Sequence, residues 1–140
     1  MHRILVVDDF KPWRDAACQI IEAQPEFQVI AQAEDGEQAV QLATDLKPDL
    51  VVLDIGLPKL NGLTAAARIF KGSPGTKIVF LSQVNDQEIV NAAHNVGASA
   101  YVQKLKAATD LLSAIAVAIG AQRGEEFYTC PLCRLPAYTR

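Results

Sequence analysis

Two kinds of apolar pattern alternate along this chain from one end to the other. Ile4 to Val7, Leu50 to Leu53 and, after Lys77, Ile78 to Leu81 are short runs, too uniformly apolar for amphipathic helices, and they predict strands buried on both faces, as in a parallel sheet. Phe27 to Ala33 and Ala100-Tyr101-Val102 complete a set of five. The segments between them carry apolar residues at helical spacing. Lys11 to Gln24 presents Trp13, Ala16, Ala17, Ile20 and Ile21 and is stopped by Pro25. Asp35-Gly36 turns the chain into a helix with Ala39, Leu42, Ala43 and Leu46 on one face, and Leu63, Ala66, Ala67 and Phe70 repeat the stripe after the central loop. Asp86 is placed to cap a helix carrying Ile89, Ala92, Ala93 and Val96, with Gly97 suited to the left-handed residue that closes it. The last helix is expected from about Ala108 to Arg123, with Leu111, Leu112, Ile115 and Ile119 inward.

Five strands alternating with five helices specify an α/β fold, a doubly wound parallel sheet covered on both faces by right-handed crossovers. In the flavodoxin-like strand order 2-1-3-4-5 of such a (βα)5 sheet, the first and third strands are neighbours at the topological switch point, where ligands bind outside the carboxyl ends. Asp8 and Asp9 end the first strand and Asp54 the third, while Ser82 ends the fourth and the fifth stops just before Lys104.

Composition narrows the class. At 140 residues, with 50% hydrophobic residues and a net charge of -3, the chain is a single globular domain and not a disordered one. Its charges are dispersed without a basic block, so no nucleic-acid partner is expected through this domain. No apolar run approaches spanning length and Met1-His2-Arg3 leads directly into a strand, so no membrane association and a cytoplasmic location are expected. Three cysteines, two of them in Cys130-x-x-Cys133, do not make a disulfide framework and agree with a reducing compartment.

The strand ends bring Asp8, Asp9, Asp54, Ser82 and Lys104 to one edge of the sheet. Two carboxylates roughly 5 Å apart repel by about 3 kcal/mol at an effective dielectric of 20, so a cluster of three calls for a cation. Hard oxygen donors, few in number and open to water, suit Mg²⁺. Lys104 supplies a point charge for a phosphate and Ser82 a hydroxyl, and the remaining oxygen of Asp54 can then attack phosphorus as a carboxylate nucleophile.

The motifs Val6-Val7-Asp8-Asp9, Leu53-Asp54-Ile55-Gly56-Leu57-Pro58-Lys59-Leu60-Asn61-Gly62, Phe80-Leu81-Ser82 and Tyr101-Val102-Gln103-Lys104 stand in order at matching spacing. Together they resemble the response regulator receiver domain of two-component signalling, over roughly residues 1–123, with residues 124–140 a linker-like tail. The resemblance implies that Asp54 is the phosphoacceptor and that Asp8 and Asp9 hold Mg²⁺ with the Asp54 side chain and the Gly56 backbone carbonyl. It implies that Ser82 and Lys104 bind phosphoryl oxygens, and that Tyr101 is an aromatic switch turning inward, from an exposed position, when Ser82 moves. A histidine kinase or phosphotransfer protein would be the partner, with a homodimer as an allowed assembly.

Two positions depart from the common receiver pattern. Leu105 follows Lys104 where proline with a cis bond is frequent, which resembles receivers that precede a LuxR-type helix-turn-helix; without proline a trans bond is expected. Gln83 follows Ser82 where a small residue is usual and should narrow access to the phosphoryl site. Cys130-x-x-Cys133 is half of a zinc knuckle, readable as a site shared by two chains or as part of a loosely packed end.

The resulting expectation is a stand-alone phosphoacceptor that switches a protein-interaction surface, an enzyme only in catalysing its own phosphotransfer and dephosphorylation. The alternative is the receiver portion of a longer DNA-binding transcriptional regulator. A phosphatase of the haloacid dehalogenase type would need Asp-x-Asp, and Asp54-Ile55-Gly56 lacks the second acid.

Overall fold

The structure, a computed structural model, describes residues 1–84, 86–120 and 128–129. Strands β1 (His2–Val7), β2 (Phe27–Ala33), β3 (Leu50–Leu53), β4 (Lys77–Ser82) and β5 (Ala100–Gln103) alternate with helices α1 (Lys11–Glu22), α2 (Gly36–Leu46), α3 (Gly62–Gly72), α4 (Gln87–Val96) and α5 (Ala107–Gly120). All paired strands are parallel, and the order begins 2-1-3-4-5, as the alternation of elements predicts. A two-residue strand, β6 (Tyr128–Thr129), adds to the outer edge of β5 and makes the sheet six-stranded. The tail read as linker therefore contributes to the sheet at these two positions, where the Tyr128 N–H donates to Ser99 O at 2.9 Å. Cys130, Cys133 and the expected helix end at Arg123 lie outside the described residues.

Strand alternation divides the core into two layers. Leu5, Val7, Val51, Leu53, Ile78 and Phe80 point to one face, beneath α2, α3 and α4, which meet them with Ala39, Ala43, Ala65, Ala66, Ile69, Val90 and Ala93. Ile4, Val6, Leu50, Val52, Val79 and Leu81 point to the other, beneath α1 and α5, which contribute Ala17, Cys18, Ile21, Leu111, Ala114, Ile115 and Ala118. Every residue of β3 is buried, so this strand has no polar face to display and its sequence shows none.

Helix starts follow the side chains that cap them. Asp35 accepts from Gln38 N–H at 2.8 Å, Asn61 from Thr64 N–H at 3.0 Å and Asp86 from Glu88 N–H at 2.8 Å. Gly97 closes α4 with φ +107°, the left-handed role its position predicts.

Buried faces are rotated from expectation in two helices. In α3 it is Gly62, Ala65, Ala66 and Ile69 that are buried, while Ala67 is exposed and Leu63 and Phe70 are only half-buried. The cause is at the first turn, where α3 approaches the backbone of β3's exit so closely that an added Cβ on Gly62 would stand 2.2 Å from Asp54 O. A stripe drawn through the largest apolar residues misses a contact that only glycine and alanine permit. In α4, Val90 and Ala93 are buried and Ile89 and Ala92 half-buried. A single 3-10 turn, Lys104–Lys106, leads from β5 into α5, which starts at Ala107. No cis peptide bond occurs among the described residues, in agreement with Leu105 following Lys104.

Candidate functional site

Sheet register brings the candidate residues together. Val7 pairs with Leu53, so Asp8 and Asp54, the next residues of each strand, leave the sheet side by side. Main-chain bonds continue past the strand ends: Asp8 N–H donates to Ala33 O and Asp54 N–H to Val7 O, both at 3.1 Å. On the other side of β4, Ser82 pairs with Gln103, which delivers Lys104 to the same edge.

Lys104 is the centre of the arrangement. Its ammonium lies 2.7 Å from Asp8 Oδ2 and 3.2 Å from Asp54 Oδ2, and all three side chains are buried. The carboxylates predicted to need a cation thus have one from the chain itself. Asp54 is only 7% exposed, with Lys104 against its carboxylate. Burial pushes the Asp54 carboxyl above its ordinary range, Lys104 opposes the shift, and the charge of Asp8 adds to it. Asp8 is held further by the Phe10 N–H, which donates to Oδ1 at 2.9 Å.

Asp9 is exposed at the same edge, and one carboxylate oxygen from each of Asp8, Asp9 and Asp54 lies within 4.8 Å of the others. Three hard oxygen donors, one of them open to water, form a donor set able to hold a metal ion and suited to a hard divalent one. The set opens into a cleft of about 430 Å³ lined by Asp9, Asp54, Gly56, Ser82 and Lys104, with Phe10, Trp13, Gln83 and Val84 around them. Gln83 lies at this cleft, where its length was expected to restrict access.

Ser82 and Tyr101 are joined through one residue. Ser82 Oγ accepts from Val84 N–H at 3.1 Å, and the Tyr101 hydroxyl donates to Val84 O. Tyr101 is 3% exposed, so its ring is buried in this structure, where an exposed ring was expected before the switch.

Two residues of α1 carry more than their pattern announced. Trp13, read as packing, places its ring 5.5 Å from the Lys104 ammonium. Arg14 is buried, donating from Nη1 to Asp8 O at 2.8 Å and from Nε to Gln32 Oε1 at 3.0 Å, so it ties the acidic loop to β2. An arginine one position after an aromatic in an otherwise apolar helix face was the signal available.

The family model of the response regulator receiver domain matches residues 4–116. The chain belongs to that family. As a receiver it is similar to the transcriptional regulatory protein DegU of Brevibacillus brevis, 36% identical over 115 residues, which are 82% of this chain and 49% of DegU. It is likewise similar to protein CcdB of Bacillus subtilis, 36% identical over 120 residues, 86% of this chain and 99% of CcdB. Among solved structures it resembles a two-component response regulator of the LuxR family from Aurantimonas sp. SI85-9A1, with TM-score 0.83 and 30% identity over 88% of each chain. These likenesses join it to the receivers of LuxR-type regulators, and the receiver spans about half the length of DegU.

Proposed function

We propose that this receiver takes a phosphoryl group onto Asp54 in a two-component phosphorelay and signals through a changed protein-interaction surface. The observation that carries the reading is the Lys104 ammonium, buried between Asp8 and Asp54 at the floor of a cleft that Asp9 borders. One carboxylate oxygen of Asp54 attacks the donor phosphorus, the O–P bond forms as the donor's N–P or O–P bond breaks, and the leaving group departs with the electron pair. Lys104 meets the arriving oxygens with its positive charge, and Ser82, whose Oγ accepts from Val84, still has a proton to donate. Asp8, Asp9, Asp54 and the Gly56 carbonyl would hold Mg²⁺, which when bound neutralises the charge between an anionic nucleophile and an anionic phosphoryl group. Chemistry beyond this self-catalysed transfer and the later hydrolysis is not part of the reading.

The mouth of the cleft supports a protein donor, a histidine kinase or phosphotransfer protein. Phe10, Val84 and Leu105 are three of the four large hydrophobic residues exposed among the described ones, and all stand beside the acidic site. Apolar surface around a buried charge cluster suits a macromolecular partner that excludes water during transfer. A cytoplasmic setting accords with that partner, and no helix among the described residues is long and apolar enough to cross a membrane. Incubation with acetyl phosphate should add one phosphoryl mass in the presence of Mg²⁺ and none in its absence; uptake indifferent to the metal would contradict the reading. The second reading, a receiver belonging to a longer DNA-binding regulator, is favoured by the alignment with half of DegU, and the length of the expressed gene product separates the two.

A further inference from the structure

Lys104 is held on more than its two carboxylate sides. Its Nζ donates toward Asp8 Oδ2 and Asp54 Oδ2, and the ring of Trp13, the single tryptophan of the chain, faces it at 5.5 Å. A lysine stem is unbranched and has many rotamers, so two contacts at its tip leave directions in which the ammonium can swing. One such direction is the neighbouring depression lined by Gln83, Gln103 and Leu105, which Lys104 also borders. The indole face attracts the cation without competing for a carboxylate. Trp13 is carried by the first turn of α1, next to Arg14, whose Nη1 donates to Asp8 O.

We infer that Trp13 is a positioning residue that keeps the Lys104 ammonium in the phosphoryl site while its polar contacts change. The inference rests on the phosphoacceptor reading above. When a phosphoryl group occupies Asp54, Lys104 exchanges carboxylate contacts for phosphoryl oxygens, and in that exchange the ring is the one partner that does not alter. An aromatic of smaller face should serve in part, and an aliphatic residue should fill the space without attracting the charge.

Two measurements on the full chain test this. The first needs no ligand: in protein carrying ¹³C-labelled lysine, the Lys104 Hε signals should be shifted upfield by the ring in the parent and in Trp13→Phe, and should move toward ordinary lysine values in Trp13→Leu. The second is the affinity for beryllofluoride in Mg²⁺, a stand-in for the phosphoryl group. Trp13→Leu should weaken it about tenfold, Trp13→Phe should restore most of the loss, and Trp13→Leu should have no further effect in a Lys104→Ala background. Unshifted Lys104 signals in the parent would overturn the inference whatever the site does. Shifted signals with equal beryllofluoride affinity in parent and Trp13→Leu would overturn it too, leaving the phosphoacceptor reading intact. A parent with shifted signals that takes up no beryllofluoride would overturn the phosphoacceptor reading, and this role with it.

Discussion

Lys104 Nζ stands 2.7 Å from Asp8 Oδ2, an ion pair buried on both sides. It joins the end of β1 to the turn after β5, and the second contact, to Asp54, makes Lys104 the charge that lets the acidic cluster exist in the folded chain. Breaking a buried pair by removing one partner costs about 3 kcal/mol or more, because the other charge stays buried and unpaired. Lys104→Ala should therefore lose about 3 kcal/mol in metal-free buffer, measured by urea unfolding. Millimolar Mg²⁺ should return part of that loss, since a cation bound only by the folded state stabilises it. A variant as stable as the parent without metal would show that the pair contributes nothing.

Asp54 gives a dependence on pH whose sign is fixed by its surroundings. Burial, opposed by Lys104 and aided by Asp8, raises its pKa above the ordinary 3.8, so the folded protein holds this proton more tightly than the unfolded chain. That contribution to stability is fully present below the ordinary value and is lost as pH rises through the raised one. Asp54→Asn does not titrate. Its melting temperature relative to the parent, in metal-free buffer, should therefore climb as pH rises from about 4 and then level off. A difference that is flat or falls across that range would mean the ionised carboxylate is not destabilised by its site.

Gly62 is a less visible part of the same site. A Cβ there would stand 2.2 Å from Asp54 O and 2.6 Å from Ile55 Cα, main-chain atoms that cannot rotate away. Gly62→Ala should cost about 1–3 kcal/mol and displace the loop that carries Asp54, which amide shifts of residues 54–57 would register. A variant with parental stability and unmoved amides would contradict the close approach.

Much of this arrangement was legible in the chain, for reasons that differ by element. Runs such as Leu50 to Leu53 and the acidic residues that end them report the strands directly, because a strand buried on both faces has to be apolar throughout and its exit is where polarity begins. Contacts between small residues leave no such trace: the inward face of α3 turns on Gly62, Ala65 and Ala66, which hydropathy ranks below Leu63 and Phe70. Nor does pattern report partners distant in sequence. Lys104 was expected to await a phosphate, whereas it already bridges Asp8 and Asp54, and Trp13 looked like packing because only the folded chain brings it over Lys104. The pairing of Tyr128 with Ala100 is a main-chain contact of two residues, too short to register as a strand in any periodicity.

We propose that the switch route from Ser82 to Tyr101 runs through Val84. Its N–H donates to Ser82 Oγ and its carbonyl accepts from the Tyr101 hydroxyl, so on this proposal a pull on the serine hydroxyl would reach the ring's partner within one residue. Ser82→Ala should still bind beryllofluoride at Asp54, but the chemical-shift changes over residues 86–105 that accompany binding in the parent should be largely lost. Parental shifts around Tyr101 in that variant would rule this route out.

The central claim is that Asp54 forms the bond to phosphorus. After reaction with acetyl phosphate and Mg²⁺, borohydride reduces an aspartyl phosphate to homoserine, and peptide mass spectrometry locates it. The account predicts homoserine at position 54 in the parent and none at any position in Asp54→Asn. Homoserine at Asp8 or Asp9, or phosphoryl uptake that survives Asp54→Asn unchanged, would contradict it.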